Sequence, residues 1–258
     1  MKLAKISERI FFSTIKITVE KESGDVITGT GFFLSKSRGK DEVVIFLVAP
    51  KRLIENTISG IMVFHEAIDS NISGVQENEN IHIKIGELDW KELWYISSNN
   101  ISPFAIAPIV PIINFIEKRL NKFCFIQPLD IESIPKVDEL KDISLVEDIL
   151  FLAYPPEIVN ETEYMPVLGR AKLATALFKD FNHEPMFLIS TTNSKNTEGG
   201  PVFILNEGTY ITNNGKNIGN RFLFLGINHG VIENGLGKVV KASVLIDIVD
   251  EFIKKLKN

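Results

Sequence analysis

Short apolar runs rich in β-branched residues, each of strand length and bounded by turn residues, recur along most of this chain of 258 residues. Residues 43–48 form one such run, and the turn residues 37–40 precede it. Many short strands with Gly, Asp and Asn between them are typical of a β-barrel or a β-sandwich. We predict strands in residues 10–20, 29–34, 43–48, 60–65, 81–85, 94–96, 104–109, 149–153, 169–177, 186–190, 201–205 and 222–227.

Three segments depart from the strand pattern. Residues 111–120 predict a short helix, and the polar, proline-interrupted residues 126–148 predict a connector. Near the end of the chain, apolar residues recur with a 3.6-residue period, which predicts a helix that packs on the core, with Ser243 as its N-cap. The predicted organisation is therefore a first half (1–125), a connector (126–148), a second half (149–242) and a terminal helix (243–258).

Composition narrows the classes of function. The net charge of −5 and the scattered Lys and Arg argue against a nucleic-acid partner, because phosphate binding needs clustered basic residues. No apolar run approaches the ~20 residues of a membrane span, and the charges at Glu8 and Arg9 interrupt the N-terminal apolar run, so we expect neither a membrane partner nor an export signal. The one cysteine, Cys124, predicts a small buried hydrophobe and a cytoplasmic location.

The histidines and the glycine pairs carry no metal or cofactor signature. The four histidines are far apart in the sequence, without the spacing of zinc ligands. Gly29 and Gly31 lack the rest of a dinucleotide fingerprint, and Gly199 with Gly200 lacks the Lys and Ser/Thr of a phosphate loop. We therefore expect no metal and no cofactor.

One motif is more specific. Residues 196–203 read Asn-Thr-Glu-Gly-Gly-Pro-Val-Phe. This stretch resembles the nucleophile loop of the trypsin-like serine proteases, Gly-x-Ser-Gly-Gly-Pro-Val-Phe, with Glu198 at the place of the serine. Residues 29–33 resemble the Gly-Thr-Gly-Phe strand of the bacterial members, and residues 46–56 are similar to the segment that carries the family's catalytic histidine. Arg52 stands at that histidine's place.

Further segments match the same family in chain order. Residues 103–109 resemble a strand of the family that begins with an aspartate, and this aspartate orients the catalytic histidine. Pro103 stands at the place of the aspartate, or Ser102 does in another register. Matches to the family's Gly-Tyr-Pro turn, its specificity-pocket wall and the approach to its terminal helix follow at residues 151–155, 226–230 and 239–244. The resemblance covers nearly the whole chain. It implies an all-β fold of two packed six-stranded antiparallel β-barrels with a C-terminal α-helix and a site between the barrels.

The three substitutions remove the chemistry that the family uses. Peptide cleavage there needs a hydroxyl nucleophile, a base and a carboxylate that orients the base. Arg52 stays protonated at physiological pH, Pro103 has no carboxylate, and Glu198 is a poor acyl nucleophile. The resemblance therefore implies a pseudoprotease. Because the family's histidine and serine touch, we also predict a salt bridge between Arg52 and Glu198.

Three functions remain open at this point. The leading hypothesis is an inactive homologue that binds a peptide or protein in the cleft between the barrels. Its predicted cleft residues are Asn196 (at the place of an oxyanion-hole glycine), Thr197, Glu198, Gly199, Asn228, His229 and Gly230. The alternative is an active serine-type endopeptidase with a displaced triad, drawn from the hydroxyls of Ser194 or Thr197 and the imidazoles of His183 or His229. The third is a scaffold domain with an idle cleft. We expect His229 to be a hydrogen-bonded residue of the specificity-pocket wall.

Overall fold

The computed structural model describes residues 3, 5–39, 42–97, 102–158, 162–191, 197–212, 215–232 and 235–256. The α-helices within these residues are α1 (Ile6–Arg9), α2 (Glu87–Leu93), α3 (Val110–Phe115), α4 (Val137–Lys141) and α5 (Ser243–Lys255). Short 3-10 turns lie at Ile10–Ser13, Lys51–Leu53, Ile131–Ser133 and Pro156–Ile158, and a π turn, Ile116–Leu120, continues α3. No helix in the described part of the chain is long and apolar enough to cross a membrane.

The first half is a largely antiparallel sheet. Its strands are β1 (Thr14–Lys21), β2 (Val26–Ser37), β3 (Val43–Pro50), β4 (Thr57–Ala67), β5 (Val75–Gly86), β6 (Phe104–Pro108), β7 (Cys124–Phe125) and β8 (Leu129–Asp130). The main path has the order β5-β4-β1-β2-β3-β6, with β7 added to β4 and β8 added in parallel to β2. Among the described residues β5 and β6 do not pair with each other, and Tyr95 instead forms an isolated bridge to Ile106 of β6.

The second half closes into a barrel. Its strands are β9 (Asp148–Ala153), β10 (Val167–Leu173), β11 (Met186–Ser190), β12 (Pro201–Asn206), β13 (Thr209–Thr212), β14 (Gly215–Ile218), β15 (Arg221–Ile232) and β16 (Leu236–Lys241). The barrel order is β10-β11-β16-β15-β12-β9, while β13 and β14 form a separate hairpin. The predicted all-β fold with a C-terminal helix is confirmed.

Strand alternation joins the two halves through one core. Successive side chains of a strand point to opposite faces. On β3, Leu47 therefore packs in the core of the first half, while Phe46 and Val48 belong to a cluster shared by both halves. On β12, Phe203 joins the same shared cluster, and the buried face of α5, which includes Leu245, packs against it too. The cleft between the halves thus lies above a continuous apolar interface.

The structure corrects the prediction of a strand at residues 94–96. Helix α2 precedes this segment, with acidic residues in its first turn and Glu87 paired to Lys91 one turn later. The fully buried Trp90 holds the helix against the sheet, where it packs so closely on Gly60 that an added Cβ would come within 2.1 Å of the indole. This tertiary contact outweighs the weak strand pattern.

Other differences concern the ends of elements. Residues 10–13 form a 3-10 turn, so β1 begins at Thr14. Ser243 is the first residue of α5, and its N-cap is Ala242, which makes no side-chain capping bond. The prediction of Ser243 as N-cap is therefore wrong by one position. Strand β8 lies inside the predicted connector, because Leu129 pairs with Leu34 of the first sheet.

Candidate active-site cleft

Arg52 lies in a rigid turn at the end of β3. The 3-10 turn Lys51–Leu53 follows Pro50 directly, and the Lys51 backbone N–H donates to the carbonyl of Pro103 at 2.9 Å. The Arg52 carbonyl accepts from the ammonium of Lys21 at 2.5 Å, and the next side chain, Leu53, is fully buried. These contacts fix the backbone and leave the Arg52 side chain, 35% exposed, to extend into the cleft.

Glu198 is carried by a loop that needs both of the glycines that follow it. Gly199 has a positive φ of 92°, and a Cβ there would lie 2.2 Å from the carbonyl oxygen of Thr30. A Cβ on Gly200 would lie 1.8 Å from the carbonyl oxygen of Leu152. The Gly-Gly frame is therefore required by packing between the halves, whatever residue precedes it. This requirement explains why the frame is present beside Glu198.

Arg52 and Glu198 form the ion pair predicted from the sequence. The Arg52 Nε–H donates to Oε2 of Glu198 at 2.5 Å. The Glu198 side chain is 21% exposed and that of Arg52 is 35% exposed, so the pair is partly buried. The free energy lost on removing one partner should therefore lie between two limits. It is about 0–1 kcal/mol for a surface pair and about 3–5 kcal/mol for a buried pair.

His229 is a third member of this cluster, and the sequence did not predict its contact. Its Nδ1 lies 3.3 Å from Oε1 of Glu198, within ion-pair distance but without the direction of a hydrogen bond, so the contact is electrostatic. Burial by itself raises the pKa of the Glu198 carboxyl, but the neighbouring His229 and Arg52 together outweigh burial and lower that pKa below its ordinary value. The carboxylate is thus held in its charged form.

The floor beside the cluster is fixed by hydrogen bonds. The fully buried Asn228 donates from Nδ2 to Oγ1 of Thr197 at 2.8 Å, and its Oδ1 accepts from the Gly230 backbone at 3.2 Å. Its backbone exchanges bonds with the glycine loop, accepting from Gly199 at 2.8 Å and donating to Gly200 at 2.9 Å. Six of the seven predicted cleft residues therefore lie together, and Asn196 lies outside the described residues.

Pro103 and Ser102 lie on the other wall. The Ser102 hydroxyl, 3% exposed, accepts from the Phe104 backbone N–H at 3.1 Å. Both residues line a cavity of about 380 Å³ beside His229. Its further lining residues, which the sequence did not predict, are Lys51, Glu184, Pro185, Met186 and Val240. Charged side chains and apolar surface from both halves therefore meet next to the Arg52–Glu198 pair.

Of the residues of the displaced-triad alternative, Thr197 and His229 lie in this cleft. Thr197 is 5% exposed and its hydroxyl accepts from Asn228. His183 is an exposed turn residue with a positive φ of 63°, ahead of β11. Ser194 lies outside the described residues. Within the described ranges, no group of three or more His, Cys, Asp or Glu is arranged to hold a metal.

Comparisons with known proteins define the fold class. Neither protein-family models nor curated proteins match the sequence. Among solved structures, an HtrA-type protease, AlgW with tripeptide, matches with a TM-score of 0.54 and 9% identity over 96% of this chain and 62% of that chain. The scabies mite inactivated protease paralogue S-I1 matches with a TM-score of 0.52 and 10% identity over 96% of this chain and 97% of that chain.

At these identities the likeness concerns the fold alone, and the fold is that of the trypsin-like serine proteases. This chain spans less than two thirds of the AlgW chain, namely 62%. The chemistry of the cleft must therefore be argued from this chain's own residues.

Proposed function

We propose that this protein is a catalytically inactive homologue of the trypsin-like serine proteases that binds a peptide or protein in the cleft between its halves. The observation that carries the proposal is the ion pair between Arg52 and Glu198, with its 2.5 Å contact from Nε to Oε2. In the family that the sequence resembles, these two positions hold the base and the nucleophile. Here they neutralise each other.

The chemistry of the cluster supports inactivity. A guanidinium accepts no proton at physiological pH, so Arg52 cannot activate a nucleophile. The carboxylate of Glu198 lies between two basic side chains, which lowers its pKa and its capacity as a base. The hydroxyls of Thr197 and Ser102 are buried and accept hydrogen bonds from neighbouring groups. Acyl transfer requires a nucleophile paired with a base, and the pair of Arg52 and Glu198 supplies neither.

The backbone beside the cluster supports peptide binding. Strand β15 pairs with β12 only as far as Ile227 with Pro201. Its register with β16 shifts between Asn228 and Val231, so His229 and Gly230 lie outside the ladder. Within the described residues, this stretch of β15 has no strand neighbour on the β12 side. An extended peptide can pair with such an edge by strand addition and place side chains in the adjacent cavity.

The two structural neighbours agree with this proposal by analogy. One is a protease solved with a tripeptide, and the other is an inactivated protease paralogue. At identities of 9% and 10% the likeness concerns the fold alone. The proposal therefore rests on the geometry of the Arg52–Glu198 cluster, and the analogy is only consistent with it.

Inactivity is tested with a fluorophosphonate probe and with a turnover assay on denatured casein. We expect no labelled residue by mass spectrometry and no sustained release of peptides. Labelling at one hydroxyl that disappears when that residue is changed to Ala, together with turnover, would overturn the proposal in favour of a displaced triad.

Binding is tested by selecting peptides from a phage-displayed random library on the folded protein. Selected peptides are expected to lose affinity for Lys51→Glu, because Lys51 lines the cleft cavity. The matched control is Lys254→Glu, at an exposed position near the end of α5. Failure to select any peptide, or equal loss for both variants, would favour a scaffold with an idle cleft.

A further inference from the structure

A second cavity lies apart from the cleft and is built by the first half and a loop of the second. Its volume is about 260 Å³, and it shares no lining residue with the cleft cavity. Its apolar surface comes from Phe12, Val75 and Met165, and its other lining groups include an imidazole, His65, and two carboxylates, Glu77 and Glu163. The proposed function uses none of these residues.

A bulge in β5 forms one side of this cavity. His65 of β4 pairs with Asn80, and Ala67 pairs with Val75, so one residue of β4 (66) faces four residues of β5 (76–79). Asn78, at the centre of the bulge, has a positive φ of 60°. A bulge of this kind bends the strand and redirects its side chains, and bulges are common next to binding sites. It brings Glu77 to the cavity.

His65 supplies a buried polar group that the fold leaves without a partner. Its side chain is surrounded by Phe12 and neighbouring apolar residues, with the Phe12 ring in an edge contact at 4.9 Å, and the residue is 7% exposed. Its Nε2 is buried and makes no hydrogen bond to any residue in the described part of the chain. Burial lowers the pKa of His65 to about 4, so the ring is neutral at physiological pH. An unpaired polar atom in this setting is costly, and a ligand that donates a hydrogen bond to it recovers that cost.

The lining selects the charge and shape of such a ligand. Glu77 and Glu163 are exposed carboxylates, which attract a cation and repel an anion. The apolar lining residues favour a ligand with a hydrophobic group. Among them, the unbranched side chain of Met165 adapts most easily to the shape of that group. We propose that this cavity is a binding site for a protonated amine carried on an apolar body, with the ammonium close to Glu77 and Glu163 and donating to the imidazole of His65.

The test adds 2-phenylethylamine to the folded protein and follows binding by NMR of the His65 ring and by calorimetry. For a ligand of this size we expect saturable binding with Kd of about 1 mM. Two probes of similar shape, 2-phenylethanol and phenylacetate, should bind about tenfold more weakly or not at all, because they lack the cation.

Variants assign the contacts. His65→Phe keeps an aromatic ring against Phe12 and should weaken amine binding about tenfold or more. Glu77→Gln and Glu163→Gln should each weaken it about two- to fivefold. The matched control is Glu92→Gln, which changes an exposed residue of α2 outside the cavity lining and should leave the affinity unchanged.

Three results would overturn the proposal. The first is no saturation up to about 10 mM amine, a concentration well above the expected Kd. The second is equal affinity for the neutral alcohol. The third is undiminished amine binding by a folded His65→Phe protein. Because the cavity shares no residue with the cleft, none of these results bears on the proposed peptide binding.

Discussion

Arg52 and Glu198, 146 positions apart in the chain, meet between the two halves with Nε of the arginine 2.5 Å from Oε2 of the glutamate. The Lys51–Leu53 turn fixes one partner, and the glycine loop after β11 and before β12 fixes the other. His229 approaches the second carboxylate oxygen at 3.3 Å. The carboxylate therefore lies between two basic side chains, and several measurable properties depend on it.

A double-mutant cycle measures the ion pair. Arg52→Ala and Glu198→Ala should each destabilise the fold, and the coupling between them should be about 1–2 kcal/mol, because both side chains are partly exposed. Glu198→Ala should cost more, since it leaves Arg52 and His229 facing each other without a carboxylate. Urea denaturation of the four proteins gives the values. Strictly additive losses would show that the pair contributes nothing.

The stability that Glu198 contributes should depend on pH in one direction. Its pKa in the fold lies below the ordinary value of 4.5, so the folded state releases the proton more readily than the unfolded chain. The difference in unfolding free energy between the unaltered protein and Glu198→Gln should be complete above about pH 4.5 and shrink as the pH falls below it. Glu79→Gln controls for the loss of a surface charge. A difference that grows on acidification would contradict the assignment.

Gly199→Ala should be far more damaging than Gly208→Ala. Both glycines have similar positive φ angles, 92° and 95°, so both substitutions carry a similar backbone strain of about 1 kcal/mol. Only Gly199 lacks space, because its Cβ would lie 2.2 Å from the Thr30 carbonyl, whereas nothing lies within 4 Å at Gly208. We expect Gly199→Ala to cost at least about 2 kcal/mol more in denaturation. Equal losses would show that the loop relaxes freely.

His65 should make the fold sensitive to mild acid. The unfolded chain takes up a proton on this ring near pH 6.5, but the folded protein does so only near pH 4. Acidification from about pH 6.5 towards pH 4 should therefore lower the unfolding free energy progressively, by at most about 3 kcal/mol. His65→Phe should flatten this part of the stability profile, as measured by chemical denaturation across the range. If His65→Phe leaves the pH dependence of stability unchanged, the His65 ring takes up its proton at the same pH in the folded and unfolded states, which would contradict the prediction.

Cys124 should be inert in the native state. The residue is 3% exposed, and burial, followed by the nearby Glu117 and Glu66, raises the pKa of its thiol to about 12. Because the thiolate is the reactive species, a disulfide reagent such as DTNB should react only at the rate of global or local opening. In urea the reaction should become fast. Immediate reaction in native buffer would contradict the packing of β7 against β4.

Much of this architecture follows from local pattern. The strand at residues 43–48 and the apolar stripe of the terminal helix, which buries Leu245, were both predicted from the sequence. The motifs around Arg52 and Glu198 resemble two segments that face each other in the trypsin-like proteases, and this resemblance predicted their contact. The structure contains that contact.

The missed features depend on contacts between distant residues. Helix α2 is held by Trp90 against Gly60, and no local pattern encodes that contact. The approach of His229 to Glu198 depends on the shift of β15 after Asn228. The second cavity, which the buried ring of His65 lines, depends on the bulge around Asn78. Bulges of this kind are set by sheet geometry rather than by single residues.

The apolar cluster that both halves share has a consequence for how the chain unfolds. Phe32 and Phe224, from opposite halves, pack edge to face with their ring centres 5.5 Å apart, and Phe252 of the terminal helix packs on Phe46 at the same distance. Separating the halves would expose all of these rings to water at once. We therefore expect a single cooperative melting transition, and fragments that end between the halves should aggregate when expressed alone.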